Sequence, residues 1–232
     1  MAESAPAHFE LAPGRSGPAI IAHGGGNTAE RAHDYLNQRA DFLEVDLWLR
    51  AGRFEARHER RMRWLPVLFE KWYLRRAPRE HFGLDELLAE TAEHDANIFL
   101  DLKNGGAEAA AVLHRVLARA ARPRVVAASS QQWRALRAVH ELLPDVEAFY
   151  SIDVRAKLDL FLSVNDRDAR PRGVSCRHTL LSEQTVAALH ARGLLVVAWT
   201  VDDIERAREL VAWGVDGITT HCVEEMLAEF AQ

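Results

Sequence analysis

The sequence has few of the features that mark secreted, membrane or nucleic-acid-binding proteins. Its 232 residues include two cysteines, Cys176 and Cys222, which lie in separate segments and imply no disulfide framework. No stretch approaches the roughly 18 consecutive apolar residues of a membrane span, and residues 1–18 carry no apolar core of signal-peptide length. The formal net charge of -5 argues against a nucleic-acid partner. We therefore expect a cytoplasmic protein.

A single buried stretch, residues 42–49, carries the first sign of function. It is apolar and rich in β-forming residues, yet Glu44 and Asp46 interrupt it two positions apart. Side chains at positions i and i+2 of a strand lie on the same face, so the two carboxylates should repel each other in a low-dielectric site. A hard divalent cation between them would relieve that repulsion. The alternative is a strand end at which both acids contact water.

The remaining chain alternates between strands and helices, which predicts an α/β protein. An alternating pattern with eight apolar strands in a chain of this length favours a closed (β/α)8 TIM barrel over an open sheet. Residues 53–58 are expected to return antiparallel to the second strand, and residues 154–168 are the least regular part. The eight predicted strands are 18–23, 42–49, 97–103, 124–129, 147–151, 173–177, 194–201 and 217–220. The predicted helices are 29–38, 84–92, 107–121, 132–142, 182–191 and 203–213.

Polar side chains occur where these predicted strands end. Active sites of (β/α)8 barrels lie at the carboxyl ends of the strands, so these side chains should converge on one rim. The predicted rim residues are His23, Glu44, Asp46, His58, Asp101, Lys103, Ser129 and Trp199. We expect Ser129 to be a hydrogen-bonding residue rather than a nucleophile. Trp199 is interpreted equally well as barrel filling or as a surface on which the substrate packs.

Six short motifs carry a family resemblance. They are AHGG at 22–25, EVD at 44–46, RHE at 57–59, DLK at 101–103, AWTV at 198–201 and GVDGITT at 214–220. In this order and spacing, from about residue 19 to residue 225, they resemble the glycerophosphodiester phosphodiesterase family. The resemblance implies one barrel domain over residues 1–232, with a core at about 19–225, that hydrolyses small phosphodiesters.

The same resemblance implies roles for individual residues. Glu44, Asp46 and Asp101 would bind one divalent cation, Mg²⁺ or Ca²⁺. His23 and His58 would form the acid/base pair, and the residues alone do not say which is the acid. The ammonium of Lys103 would hold the phosphate, and the backbone N–H groups at Gly24 would approach it. The function implied is hydrolysis of a glycerophosphodiester to glycerol phosphate and an alcohol.

The chain also departs from the family pattern. The usual His-Arg-Gly is His23-Gly24-Gly25 here, so an arginine that contacts phosphate is missing. An Asp at the third metal position, followed by Leu-Lys, resembles the sphingomyelinase D group of phospholipase D-type enzymes. Two alternatives therefore accompany the leading hypothesis. One is a phospholipase D-type enzyme acting on lyso- or sphingo-phospholipids, with or without a cyclic phosphate product, and the other is a barrel that binds a phosphate ligand without turnover.

Residues 59–83 form a basic and aromatic excursion from the barrel pattern. The stretch 57–79 holds eight arginines and lysines against two glutamates, together with several aromatic residues. The composition is typical of an amphipathic helix that packs on the barrel and exposes a basic face. The alternative interpretation is a lid, or a patch that makes weak peripheral contact with anionic lipid.

Overall fold

The computed structural model describes residue 11 and residues 16–62, 65–71, 73–94, 97–120, 126–164 and 171–231. Strands and helices alternate along these ranges. The strands are β1 Ala19–Ala22, β2 Phe42–Arg50, β3 Arg53–Ala56, β4 Arg60–Arg61, β5 Val67–Glu70, β6 Tyr73–Arg76, β7 Asn97–Leu102, β8 Val126–Ser130, β9 Val146–Ile152, β10 Gly173–Arg177, β11 Leu195–Trp199 and β12 Gly217–Thr220. The helices are α1 Ala29–Asn37, α2 Leu84–Glu90, α3 Gly106–Leu117, α4 Trp133–Leu142, α5 Arg155–Val164, α6 Glu183–His190, α7 Ile204–Ala212 and α8 Val223–Phe230.

Eight parallel strands close into a barrel, as predicted. Their order is β1-β12-β11-β10-β9-β8-β7-β2, and β1 also pairs with β2, which leaves no open edge in the parallel sheet. The protein is a (β/α)8 TIM barrel, and β3 adds antiparallel to the outer end of β2. Residues 154–168 were predicted to be irregular, but their first part forms α5, whose Leu158 and Phe161 are buried. No helix in the described part of the chain is both long enough and apolar enough to cross a membrane.

The barrel interior changes from apolar to polar along each strand. One buried cluster fills the lower part and includes Ile21, Phe42, Phe99, Phe149 and Val197. Two residues further along the same strands, on the same face, the chain places polar side chains instead. These are His23, Glu44, Asp101, Ser151 and Trp199. The aromatic layer closes the bottom of the barrel, and the polar layer above it opens at the carboxyl ends of the strands.

The excursion at residues 59–83 is not a helix, and the amphipathic-helix interpretation was wrong. Strands β4, β5 and β6 form a small three-stranded antiparallel sheet. Glu70 pairs with Tyr73 across the turn between β5 and β6, so the sequence reverses direction where a helix would have continued. Val67, Phe69 and Tyr73 have high β propensity. This propensity outweighed the basic composition from which the helix was predicted. Trp64 and Trp72, the two tryptophans of this segment, lie outside the described residues.

Candidate active site

Three carboxylates converge at the mouth of the barrel. Glu44 and Asp46 extend from the same face of β2, and strand register places Asp101 of β7 directly beside Asp46. One carboxylate oxygen from each of the three residues lies within 4.8 Å of the others. Glu44 and Asp46 are buried, with 6% and 1% of their surface exposed. The structure therefore brings together the three acids that the sequence singled out.

Backbone and amide groups of the first loop hold these acids in place. The Gly24 N–H donates to Glu44 Oε2 at 2.5 Å and so stabilises the carboxylate. Its expected contact with the phosphate stays a prediction. Gly24 has φ of +58°, a left-handed conformation that favours glycine. The Asn27 side-chain amide donates to Asp46 Oδ2 at 2.7 Å, and its oxygen accepts from the Asp46 N–H at 2.9 Å. Asn27 was not among the predicted site residues, and the neighbouring Thr28 caps α1.

Lys103 is the main cationic partner of the acids. Its ammonium pairs with Asp101 and lies 2.6 Å from Asp46 Oδ1. Burial alone would lower the pKa of Lys103, but Asp101, Asp46 and Glu44 raise it. The pKa of Asp46 is lowered despite its burial, chiefly by Lys103, whereas burial and the charge of Asp46 raise the pKa of Glu44 well above its usual value.

The charge balance of this cluster suits a divalent cation. One ammonium faces three carboxylates, so two negative charges stay uncompensated when all three acids are ionised. The donors are all oxygens, which hard cations such as Mg²⁺ and Ca²⁺ prefer. A cation would also offset the burial and the charge of Asp46 that raise the pKa of Glu44. The residues present therefore fit a divalent metal, and Glu44, Asp46 and Asp101 are the groups that would hold it.

Two histidines lie beside the acids. The ring centroids of His23 and His58 are 6.4 Å apart, and both rings line the same cavity. Burial, followed by the charge of His221, lowers the pKa of His23 to about 4, so its imidazole is neutral near pH 7. His58 is half exposed, and its Nδ1 lies 2.9 Å from Glu70 Oε1 on the small sheet. The sequence predicted the histidine pair but gave no indication of Glu70, because only the folded small sheet places it beside His58.

A further histidine contacts this pair. The ring centroid of His221 lies 4.5 Å from that of His23. His221 Nδ1 lies 2.8 Å from Asp202 Oδ2, and Asp202 Oδ1 accepts from the Thr220 hydroxyl. Sequence analysis did not identify Asp202. Its position shortly after the AWTV motif was the one available signal.

The catalytic cavity has a volume of about 240 Å³. Its walls combine the predicted residues with hydroxyl groups from the ends of several strands. Ser129 donates to Asp101 Oδ1 at 3.3 Å, which agrees with the predicted hydrogen-bonding role. Trp199 lines the cavity and is partly buried. The hydroxyl-bearing wall residues are Ser129, Ser151, Ser175, Thr200 and Thr219.

Comparisons with solved structures agree with this architecture. A phosphodiesterase from Oleispira antarctica, in complex with the product sn-glycerol-3-phosphate, superposes with a TM-score of 0.74 at 19% identity, covering 91% of this chain and 96% of that one. A glycerophosphodiester phosphodiesterase from Parabacteroides distasonis gives a TM-score of 0.73 at 19% identity, covering 94% and 100%. At these identities the similarity establishes the fold alone.

Sequence comparisons identify the family. A curated glycerophosphodiester phosphodiesterase from Bacillus subtilis (strain 168) is 22% identical over 242 residues, which cover 87% of this chain and 82% of that protein. The model of the glycerophosphoryl diester phosphodiesterase family matches residues 72–225, a range that contains Asp101 and Lys103. This match spans more than half of the chain. The protein is therefore a phosphoric diester hydrolase that belongs to the glycerophosphoryl diester phosphodiesterase family.

Proposed function

We propose that this enzyme hydrolyses glycerophosphodiesters to glycerol phosphate and an alcohol, with one divalent cation held by Glu44, Asp46 and Asp101. The observation that carries the proposal is the convergence of these acids within 4.8 Å beside two histidines that face each other. The product found in the Oleispira antarctica protein is sn-glycerol-3-phosphate, which has the chemistry expected here. We propose further that residues 1–232 form one domain.

His23 is the proposed general base. Its lowered pKa, about 4, keeps the imidazole neutral near pH 7, and a neutral imidazole can accept a proton from the attacking hydroxyl. That hydroxyl belongs to water, or to the glycerol of the substrate, in which case a cyclic phosphate forms first. The new P–O bond forms as the proton moves to His23.

His58 is the proposed general acid. It lies across the cavity from His23, so it can reach the opposite side of the phosphorus. The Glu70 carboxylate orients its ring through the 2.9 Å contact with Nδ1. When the bond between phosphorus and the leaving alcohol breaks, His58 donates its proton to the departing oxygen. With water as the nucleophile, the two proton transfers leave a phosphate monoester and a neutral alcohol. With the glycerol hydroxyl they leave a cyclic phosphate and the alcohol, and water must then open the ring to give the monoester.

The substrate is an anion, and approach of a nucleophile requires that its charge be offset. A divalent cation bound to the acids would polarise the phosphoryl oxygens. Lys103 adds a positive charge at the edge of the cavity, and its pairing with Asp46 and Asp101 fixes the position of the ammonium. The hydroxyls of Ser151 and Ser175 lie deeper in the cavity, where they suit a polyol such as glycerol.

Phosphorus NMR tests the proposal directly. Purified enzyme is incubated with Mg²⁺ or Ca²⁺ and a panel of glycerophosphodiesters and lysophospholipids. We expect glycerol phosphate to appear from the diesters, while a transient cyclic phosphate would identify the glycerol hydroxyl as nucleophile. His58→Ala should stop product formation, whereas His114→Ala, on an exposed face of α3, should not. Turnover of lysophospholipids alone would contradict the proposed substrate class.

A second candidate function has a specific observation in its favour. Four large apolar side chains in and beside the small sheet are exposed, and Leu74 is exposed by 71%. The others are Met62, Leu65 and Tyr73. Arginines of the same segment, Arg60, Arg75 and Arg76, are exposed as well. Apolar residues surrounded by cations are typical of weak contact with an anionic membrane surface, as a phospholipase D-type enzyme acting on lipids would need.

Vesicle cosedimentation distinguishes this candidate from the leading one. If it holds, vesicles of phosphatidylglycerol bind the enzyme, vesicles of phosphatidylcholine do not, and binding weakens as salt rises. Leu74→Ser should reduce binding several-fold. Leu142→Ser, at an exposed position at the end of α4, is the matched control and should have no effect. Indifference to both kinds of vesicle, with normal turnover of soluble diesters, would remove the lipid hypothesis.

A further inference from the structure

A second cleft, of about 490 Å³, opens beside the catalytic cavity. It lies between the outer end of β2, the strands β4 and β5 of the small sheet, and the residues that follow β7. We refer to it as the arginine cleft, because five cations and no acidic residue line it in the part of the chain that the structure describes. The cations are Arg50, Arg57, Arg60, Arg61 and Lys103. Lys103 also lines the catalytic cavity, so the two spaces meet at its side chain.

Three of these cations are occupied by structural contacts. Arg57 is 5% exposed, and its Nε lies 3.0 Å from Glu55 Oε2. Its guanidinium carbon lies 5.2 Å from the centroid of the Trp48 ring, so these contacts hold the side chain in one position. Arg50 pairs more loosely with Glu55, at 3.4 Å. Lys103 is held by the acids of the active site.

Arg60 and Arg61 differ from the other three. Among the described residues, neither has an acidic partner within ion-pair distance, although both line the cleft. Arg61 is also near enough to Arg57 for the two like charges to repel. Two arginines that line this cleft and have no acidic partner in the described part of the chain make a favourable site for an anion. Guanidinium binds carboxylate and phosphate strongly because it can donate two parallel hydrogen bonds.

We propose that the arginine cleft binds an anionic group carried by the alcohol part of the substrate. This inference rests on the proposed function and names the substrate class within it: diesters whose alcohol carries its own phosphate or carboxylate. The inner cavity, about 240 Å³ and lined by hydroxyl groups, suits the glycerol phosphate part. The alcohol then points outwards past Lys103, where the arginine cleft begins. The volume of the cleft falls in the usual range for ligand sites.

A third cleft, which His58 lines, has a mixed charge pattern. It contains Glu59 and Glu70 as well as Arg31 and Arg75, and it therefore has no strong preference for an anion. A cationic alcohol would be repelled from the arginine cleft and tolerated in the mixed one. The two clefts thus predict selectivity by the charge of the alcohol and not by its size.

The test compares three diesters that share the glycerol phosphate part. Their alcohols are choline, which is cationic, glycerol, which is neutral, and glycerol bearing a second phosphate, which is anionic. We expect the wild-type kcat/KM for the anionic alcohol to exceed that for choline by about tenfold or more at low salt, with the difference shrinking as salt rises. The double variant Arg60→Gln/Arg61→Gln should lose this preference and keep the rate for the neutral alcohol within about twofold. Arg115→Gln, which removes an exposed arginine of α3 outside the cleft, should change nothing.

Several results would overturn the inference. One is a wild-type enzyme without charge preference, and another is a double variant that slows all three diesters equally. A loss of preference in Arg115→Gln would also contradict it, since general attraction by surface charge would then be the cause. A further arm of the experiment uses a lysophospholipid with the same phosphorylated headgroup. The ratio of its turnover rate to that of the deacylated diester shows whether the natural substrate is a lipid or a soluble compound.

Failure of the proposed function gives a different result. If none of the diesters is turned over, binding of the same three compounds is measured by calorimetry with wild-type enzyme and the double variant. Tighter binding of the anionic compound that disappears in the double variant would still support the cleft. Equal binding of all three by both proteins would overturn it.

Discussion

The barrel mouth and the small sheet both contribute to the site, but they are built in opposite ways. At the mouth, neighbouring parallel strands fix Asp46 beside Asp101 through backbone register, and a buried aromatic layer supports them from below. The small sheet consists of strands of two to four residues, and Leu68 is the one residue of these strands that is buried. The positions of the acids at the mouth are therefore determined by the backbone of the whole barrel. Such fixed distances are what a catalytic site requires. The small sheet can vary without disturbing the barrel, which suits selectivity.

Removal of the cation should have the largest effect and should act on the mouth alone. We expect a chelator to abolish turnover and added Mg²⁺ or Ca²⁺ to restore it. A cation at about 100 times its dissociation constant should also raise the free energy of unfolding by about 2.7 kcal/mol, which calorimetric melting would detect. Glu44→Gln should lose this metal-dependent increase, whereas Glu108→Gln, on the exposed side of α3, should keep it. An undiminished increase in Glu44→Gln would show that the three acids are not the metal site.

Replacement of either histidine should come next. His23→Ala and His58→Ala should each lower kcat by about 100-fold or more, because each removes one proton transfer, while the melting temperature of the metal-loaded enzyme stays close to that of the wild type. Steady-state kinetics on a soluble diester measures the effect. Near-full activity of His58→Ala would make the acid/base assignment wrong, and His178 would then be tested.

The small sheet should influence catalysis less, and only through His58. Glu70→Ala removes the carboxylate that lies 2.9 Å from His58 Nδ1, so we expect kcat to fall by about tenfold with KM little changed. Glu70→Gln retains a hydrogen-bond acceptor and should recover part of the loss. Glu80→Ala, at an exposed position of the same segment, is the control. If Glu70→Ala changed KM alone, the small sheet would contribute binding and not orientation of the acid.

The smallest expected effect is a shift of the acidic limb of the pH profile, which is the pH range in which kcat/KM falls as the pH decreases. His23 acts as a base only when neutral, so kcat/KM should fall as pH decreases through the pKa of about 4, well below the usual value of 6.5. His221→Asn removes a charge that lowers this pKa, and the limb should move to higher pH by less than about one unit. His190→Asn, at the end of α6, should leave the limb in place. An unmoved limb in His221→Asn would show that burial alone sets the pKa of His23.

Much of the barrel could be predicted because its signals are local. The alternation of apolar strands with helices specified the barrel, and the two-residue spacing of Glu44 and Asp46 specified a shared face. The small sheet was missed for an equally physical reason. In the sequence, the residues between β5 and β6 include no glycine or asparagine, so no turn residue marked the reversal. Composition then favoured a helix that did not form.

By itself, the sequence determined which residues lie on strand ends and which side chains share a face, since both follow from periodicity along one strand. Tertiary structure alone decided what meets across strands and loops. Asn27 bonds Asp46, Glu70 orients His58, and Asp202 contacts His221 because barrel closure and the packing of the small sheet bring distant segments together. The arginine cleft belongs to the same group, because its cations come from different elements whose separation no spacing along the chain encodes.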